Sequence, residues 1–189
     1  MRTRKGGQTM SAAEFNLGRH CGITFARIKP ASLFTVREDD IKTLAYFAAK
    51  FRAKGFVFVC MRRMNGRVLF YVYHIGALEK LLRCPLNRKF LVDRGYPCES
   101  AARSVKLLKE RLQGDAFPHE IGIFLGYPLE DVQGFIDAPT AKTGLCGYWK
   151  VYADLDEKQK IFERFRRCTD CICKRMLAGH SLTEIFQVE

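Results

Sequence analysis

Two apolar runs separated by Asn65-Gly66 constrain the fold of this chain more than any other feature. Phe56–Arg62 precedes the dipeptide and Arg67–His74 follows it, and both runs are rich in β-branched and aromatic residues. Asn-Gly between two such runs favours a type I′ hairpin turn, because both central residues of that turn have positive φ. Neither run alternates cleanly between polar and apolar residues, so we expect both strands in the middle of a sheet that is covered on at least one face.

Helical patterns surround this hairpin and predict an α+β fold. Apolar residues recur at helical spacing in Ile41–Phe51, in Ser100–Leu112 and in a long C-terminal segment, Asp154–Gly179. We expect an antiparallel sheet centred on the Asn-Gly hairpin and covered by several helices. Gly147–Tyr152 and Ser32–Val36 are predicted to join that sheet.

The first nine residues look unlike the rest of the chain. Lys5-Gly6-Gly7 can be encoded by codons that contain a bacterial ribosome-binding sequence, and Met10 follows at the usual short distance. We therefore interpret residues 1–9 as a disordered or misassigned leader and residues 10–189 as a single α+β domain with C-terminal helices. The segment has no apolar core of the kind found in signal peptides, and no apolar run in the chain is long enough to span a membrane.

The net charge and the cysteine content indicate which partners and which cellular compartment to expect. The formal net charge is +12, which suits nucleic acid, an anionic membrane surface or an acidic partner. The eight cysteines, without a secretion signal, indicate reduced thiols and a cytoplasmic location. Cys168, Cys171 and Cys173 lie on one predicted helix and point in different directions, so they do not predict a zinc site.

The segment Phe117–Ile136 has the highest density of informative residues. It predicts two short helices, Pro118–Leu125 and Pro128–Asp137, each opened by a proline. Gly122 and Gly126 are four residues apart and would lie on one face, where they allow close backbone approach.

The same segment has the residue spacing of a helix-turn-helix motif. Its recognition helix would be Pro128–Gly134, which presents Glu130 and Asp131 but no Arg, Lys or Asn. Two carboxylates facing a polyanion weaken binding, so this element is not predicted to read DNA.

His119 and Glu120 are the first candidates for a metal or ligand site. In the first turn of a helix, the dipole favours an ionised carboxylate and a neutral imidazole. Together with His20 and Cys21, and with Cys146, they would form the mixed ligand set that zinc or iron accepts. The alternatives are that Glu120 caps its helix, that His119 lies on the surface or in the core, and that His20 and Cys21 end a helix.

The segment around the single tryptophan is the second candidate. Strand alternation places Tyr148, Lys150 and Tyr152 on one face and Trp149 with Val151 on the other. The first face would form an aromatic wall with a cationic head, suited to a planar anionic ligand. In the alternative interpretation Trp149 is a core residue and Lys150 extends to solvent between two tyrosines.

Five motifs together resemble a known bacterial family: His20-Cys21, Ile28-Lys29-Pro30, Val68–Tyr73 before a short helix, Phe117–Ile136 and Gly147–Tyr152. The family is the domain-of-unknown-function family 3793, found mainly in anaerobic Gram-positive bacteria. The resemblance implies a cytosolic setting and gene neighbourhoods with flavodoxin and ferrous-iron transport, and it implies no particular activity. Lys29 becomes a ligand-binding candidate through its place in these motifs.

These observations lead to three functional hypotheses. The first is a small cytosolic accessory protein that binds a metal (iron or zinc), a metallocofactor or a small anionic ligand, with an acidic protein such as flavodoxin as a possible partner. The second is a nucleic-acid-binding protein that uses the basic C-terminal helix. The third is a thiol-dependent enzyme with Cys21 as nucleophile.

Overall fold

A computed structural model of the chain describes residues 10–188. The predicted leader, residues 1–9, lies outside them. The fold class is α+β, as predicted, with an antiparallel sheet and helices on both of its faces. The described elements are α1 (Ala12–Phe25), β1 (Ala31–Arg37), α2 (Ile41–Arg52), β2 (Phe56–Met64), β3 (Arg67–His74), α3 (Ile75–Arg83), α4 (Pro85–Val92), α5 (Ala101–Arg111), α6 (Ile121–Phe124), α7 (Leu129–Asp137), β4 (Leu145–Cys146), β5 (Lys150–Val151), α8 (Leu155–Leu177) and α9 (Leu182–Phe186).

The main sheet has the strand order β1-β3-β2, and both pairings are antiparallel. Met64 at the end of β2 pairs with Arg67 at the start of β3. Asn65 and Gly66 lie between them with φ values of 53° and 70°. The prediction that both apolar strands lie in the middle of the sheet is wrong for β2, which is an edge strand. Helices cover β2 from both faces, and this coverage explains its apolar sequence.

The two faces of the sheet support two separate hydrophobic cores. Phe70 and Val72 of β3 pack with residues of α1, α2, α8 and α9 on one face. Tyr71 and Tyr73, the alternate residues of the same strand, pack with residues of α3, α4, α5, α6 and α7 on the other. The sheet therefore forms the middle of three layers, and alternation along β3 assigns each side chain to a layer.

Gly147–Tyr152 does not join the main sheet, contrary to the prediction. Within residues 10–188, β5 pairs only with the two-residue strand β4. Trp149 and Val151 instead pack into a third cluster with Ile23 of α1 and with Phe162 and Phe165 of α8. The apolar residues that suggested a sheet strand are buried against helices.

The Phe117–Ile136 segment forms two helices, but the first is only one turn long. Helix α6 spans Ile121–Phe124 instead of the predicted Pro118–Leu125. A Cβ atom at Gly122 would lie 2.6 Å from Cγ2 of Val132, so this glycine allows α6 and α7 to approach closely, as predicted. Gly126 has a φ of 78°, and a Cβ atom there would collide with Pro30.

Helix length and composition bear on the membrane prediction. Among the described residues, none of the helices is both long enough and apolar enough to cross a bilayer.

Candidate ligand-binding site

A cavity of about 190 Å³ lies between α7, β5 and the loop that leads into α6. Five of its ten lining residues carry an aromatic ring. Its lining residues are Phe117, His119, Ile121, Gly122, Tyr127, Asp131, Val132, Phe135, Trp149 and Lys150. Such a cavity, mostly apolar with a few polar groups, has the composition of small-molecule sites.

His119 is one of the polar side chains that line this cavity. Its ring lies between two aromatic rings, with centroids 5.5 Å from that of Phe117 and 5.1 Å from that of Phe135. Its imidazole makes no hydrogen bond to any residue that the structure describes. The side chain is exposed, so its ring nitrogens are accessible to a ligand from solvent.

Glu120, the next residue, points into the protein and is already bound there. Its Oε1 accepts hydrogen bonds from Tyr96 Oη at 2.9 Å and from Arg111 Nη1 at 2.6 Å. The Arg111 guanidinium also lies 4.4 Å from the centroid of the Tyr96 ring. Burial, the largest influence, raises the pKa of Glu120, but hydrogen bonds from its own backbone N–H, Arg111 and Tyr96 outweigh it and lower the pKa.

The Glu120 side chain does not cap α6. Its contacts instead attach the loop before α6 to α5. Glu120 therefore anchors the loop that carries His119.

Asp131 is the residue that sequence reasoning missed. The prediction presented it as an exposed carboxylate, but it is 2% exposed. Its Oδ2 accepts a hydrogen bond from Trp149 Nε1 at 2.7 Å, and its Oδ1 accepts from the backbone N–H of Tyr152 at 2.6 Å and of Ala153 at 3.2 Å. Asp131 thus fixes the indole in the cavity wall. The available signal was that a buried indole N–H needs an acceptor.

The predicted face of Tyr148, Lys150 and Tyr152 is only partly formed. Lys150 Nζ donates to the carbonyl oxygen of Pro139 at 2.8 Å and lies 5.6 Å from the centroid of the Tyr152 ring. Tyr148 lies elsewhere, against Phe162 and Phe165 of α8. Trp149 is a buried core residue, as the alternative interpretation stated, and it also lines the cavity.

His20 and Cys21 diverge from each other on α1. His20 is exposed and stacks on Phe34, with the ring centroids 5.9 Å apart. Cys21 is fully buried, and burial raises the pKa of its thiol well above the usual range, which favours the neutral form.

Lys29 lies behind the cavity wall. It is 7% exposed, and its Nζ is 5.0 Å from the centroid of the Tyr127 ring. Tyr127 stacks on Trp149 at 4.8 Å and lines the cavity. Burial lowers the pKa of Lys29 to about 8, although the nearby Cys21 thiol acts in the opposite direction.

The structure does not assemble the predicted metal ligands. Nowhere in residues 10–188 do three or more His, Cys, Asp or Glu side chains form a group that could hold a metal ion. His20 and Cys21 lie on α1, whereas His119 and Glu120 lie in the loop before α6 and point in different directions.

Comparison with curated protein sequences and with solved structures finds no match. One family does match, over residues 17–186, which is nearly the whole chain. The matched region contains every element from β1 to α9 and all the residues around the cavity. The chain therefore belongs to the family described as "Protein of unknown function (DUF3793)".

Proposed function

We propose that the protein binds a small planar ligand that carries negative charge, in the cavity beside Trp149. The observation that carries this proposal is that His119, an exposed side chain without a hydrogen-bond partner among the described residues, lines a cavity beside the rings of Phe117 and Phe135. Aromatic walls favour a planar ligand because rings stack or pack edge to face.

The polar groups of the cavity favour an anion. Asp131 is the acidic residue in the lining, and its carboxylate already accepts three hydrogen bonds. Lys150 uses one donor on Pro139, and an ammonium group has three. His119 and Lys150 therefore offer donors to a negatively charged ligand, whereas both oxygens of Asp131 are already bound by uncharged donors of the protein.

Trp149 provides the experiment, because it is the only tryptophan in the chain and it lines the cavity. We would titrate the protein with 2-naphthoate and with its uncharged amide and follow tryptophan fluorescence. Naphthoate should change the emission saturably and bind more tightly than the amide. His119→Ala and Phe135→Ala should each weaken naphthoate binding by about tenfold, equivalent to about 1.4 kcal/mol.

His180→Ala is the matched control, since His180 is exposed and does not line the cavity. It should bind naphthoate as the wild type does. Equal affinities in the wild type, His119→Ala and Phe135→Ala would contradict the proposal.

A second candidate function, nucleic-acid binding, is favoured by the surface of α8. Its exposed basic residues are Lys160, Arg164, Arg166, Arg167, Lys174 and Arg175. We expect weak, sequence-independent binding of a single-stranded oligonucleotide that falls steeply with salt. Replacing Arg167 and Lys174 by Glu should abolish it. A complex that persists at physiological salt would place this function first.

A further inference from the structure

The cavity beside Trp149 is too small to enclose a whole ligand of nucleotide size. Its volume is about 190 Å³, whereas sites for drug-sized ligands occupy roughly 300–1,000 Å³. It can accommodate a ring system, and the rest of a larger ligand would have to extend beyond it. The surface next to the cavity indicates in which direction a larger ligand would extend.

A second cavity of about 430 Å³ adjoins the first through Phe117, which lines both. Phe117 is 53% exposed, unusually high for an aromatic side chain that forms a wall. The second cavity lies at the turn end of the main sheet. Its lining residues are Thr35, Arg62, Met64, Asn65, Arg67, Leu69, Leu112 and Phe117.

Arg62 and Arg67 give this second cavity a positive charge that the protein does not neutralise. Arg62 Nη1 donates to the carbonyl oxygen of Leu112 at 3.3 Å, and none of the described residues that line the cavity is acidic. Within the described part of the chain, neither arginine forms a salt bridge.

Two neighbouring arginines, in contrast, form salt bridges with acidic side chains. Arg37 pairs with Asp39 at 3.0 Å, and Arg63 pairs with Glu38. Among these four arginines, the two without an acidic partner in the described residues are the two that line the cavity. A guanidinium group presents a fork of N–H donors that matches the oxygens of a phosphate.

We infer that the two cavities form one site for a phosphorylated aromatic compound of nucleotide size. The aromatic ring system occupies the cavity beside Trp149, the linking group crosses Phe117, and the phosphate binds Arg62 and Arg67. This inference rests on the proposed function of the first cavity and adds the chemical class of its ligand.

The test compares matched pairs that differ only in the phosphate: adenosine with AMP, guanosine with GMP, and riboflavin with FMN. Affinities for the full-length protein are measured by isothermal titration calorimetry at fixed ionic strength. In at least one pair, the phosphorylated compound should bind at least tenfold more tightly. Arg62→Gln and Arg67→Gln should reduce its affinity to that of the unphosphorylated compound, whose own affinity should not change.

Arg63→Gln is the matched control. Arg63 is adjacent to Arg62 on β2, carries the same charge and does not line the cavity. It should leave both affinities unchanged. All three arginines are exposed, so the variants should fold, which circular dichroism will verify.

The outcomes separate the two proposals. If naphthoate binds beside Trp149 but each pair shows equal affinities, the phosphate site is overturned and the first cavity stands. If an oligonucleotide binds and no mononucleotide does, the inference is also overturned. If neither naphthoate nor any nucleotide binds, the proposed function itself fails. If Arg63→Gln lost the preference for the phosphorylated compound as fully as Arg62→Gln, the preference would reflect overall positive charge. That result would overturn the proposed phosphate site.

Discussion

The segments His20-Cys21 and His119-Glu120 look alike in sequence and differ in the folded protein. Each places a histidine beside a second potential ligand, and in each the histidine is exposed and its neighbour is buried. His20 contacts Phe34 on the surface of α1. His119 instead lies in the wall of a cavity.

The difference shows that adjacency in sequence is a poor guide to a shared site. Successive residues of a helix point about 100° apart, so His20 and Cys21 face different surroundings. His119 and Glu120 separate for a different reason, since Arg111 and Tyr96 bind the glutamate. The proposed role of His119 rests on its surroundings, the rings of Phe117 and Phe135 and the cavity that they line together.

The largest effect on the free energy of unfolding should come from replacing Asp131. The described surroundings of His20 contain no equivalent residue. Asp131→Ala removes the acceptor of three hydrogen bonds and leaves one buried and two partly buried donors without it, where an unsatisfied buried donor costs about 1–3 kcal/mol. We expect the free energy of unfolding, measured by urea denaturation and circular dichroism, to fall by more than about 3 kcal/mol. Asp137→Ala, at the exposed end of the same helix, should change it by less than about 0.5 kcal/mol. Similar stabilities for the two variants would contradict the role given to Asp131.

A smaller effect is expected at Glu120, and it depends on pH. Because the pKa of Glu120 is lowered in the folded protein, its contribution is present above the unfolded value, about 4.3, and is lost as pH falls through the folded pKa. Glu120→Gln should cost about 1.5–3 kcal/mol at pH 7, typical of hydrogen bonds to a charged group. The variant's stability should also fall less between pH 5 and pH 3 than that of the wild type. Urea denaturation across this pH range measures both quantities.

Glu110→Gln is the control for that experiment. Glu110 is exposed on α5, and its one ion pair among the described residues is long, with Oε1 4.0 Å from Lys106 Nζ. It should retain nearly the full stability and acid dependence of the wild type. A Glu120→Gln variant with an unchanged acid dependence would show that another carboxyl group is responsible.

The third prediction concerns the thiol of Cys21. Because it is buried and its pKa is raised, iodoacetamide should modify it at least about tenfold more slowly than the exposed Cys84 and Cys171. Peptide mass spectrometry of the native protein measures the three rates. Modification of Cys21 as fast as that of Cys84 would revive the hypothesis of a thiol-dependent enzyme.

The smallest effect is expected at His20. His20→Ala removes one aromatic contact with Phe34, so stability should change by about 0.5–1 kcal/mol at most. Binding of naphthoate should not change. A loss of binding equal to that of His119→Ala would remove the distinction between the two histidines.

Local patterns predicted the α+β class, helix α7 and the close approach at Gly122, because strand propensity, turn residues and helix periodicity act over short distances. The packing environment of Trp149 could not be predicted from such local patterns. Its neighbours Ile23 and Phe162 come from opposite ends of the chain. The same limit applies to the candidate site, where His119 was identified and the phenylalanines that surround it were not. In the sequence, Arg62 and Arg67 contributed only to the overall positive charge. The fold places both in the lining of one cavity.

The central claim is that a planar anion binds between His119 and Trp149. The most direct test is a ¹⁵N–¹H correlation spectrum, in which the single tryptophan gives one indole resonance. Addition of 2-naphthoate should shift that resonance saturably, and His119→Ala should weaken the response by about tenfold. An indole resonance that stays in place while naphthoate binds elsewhere would contradict the account.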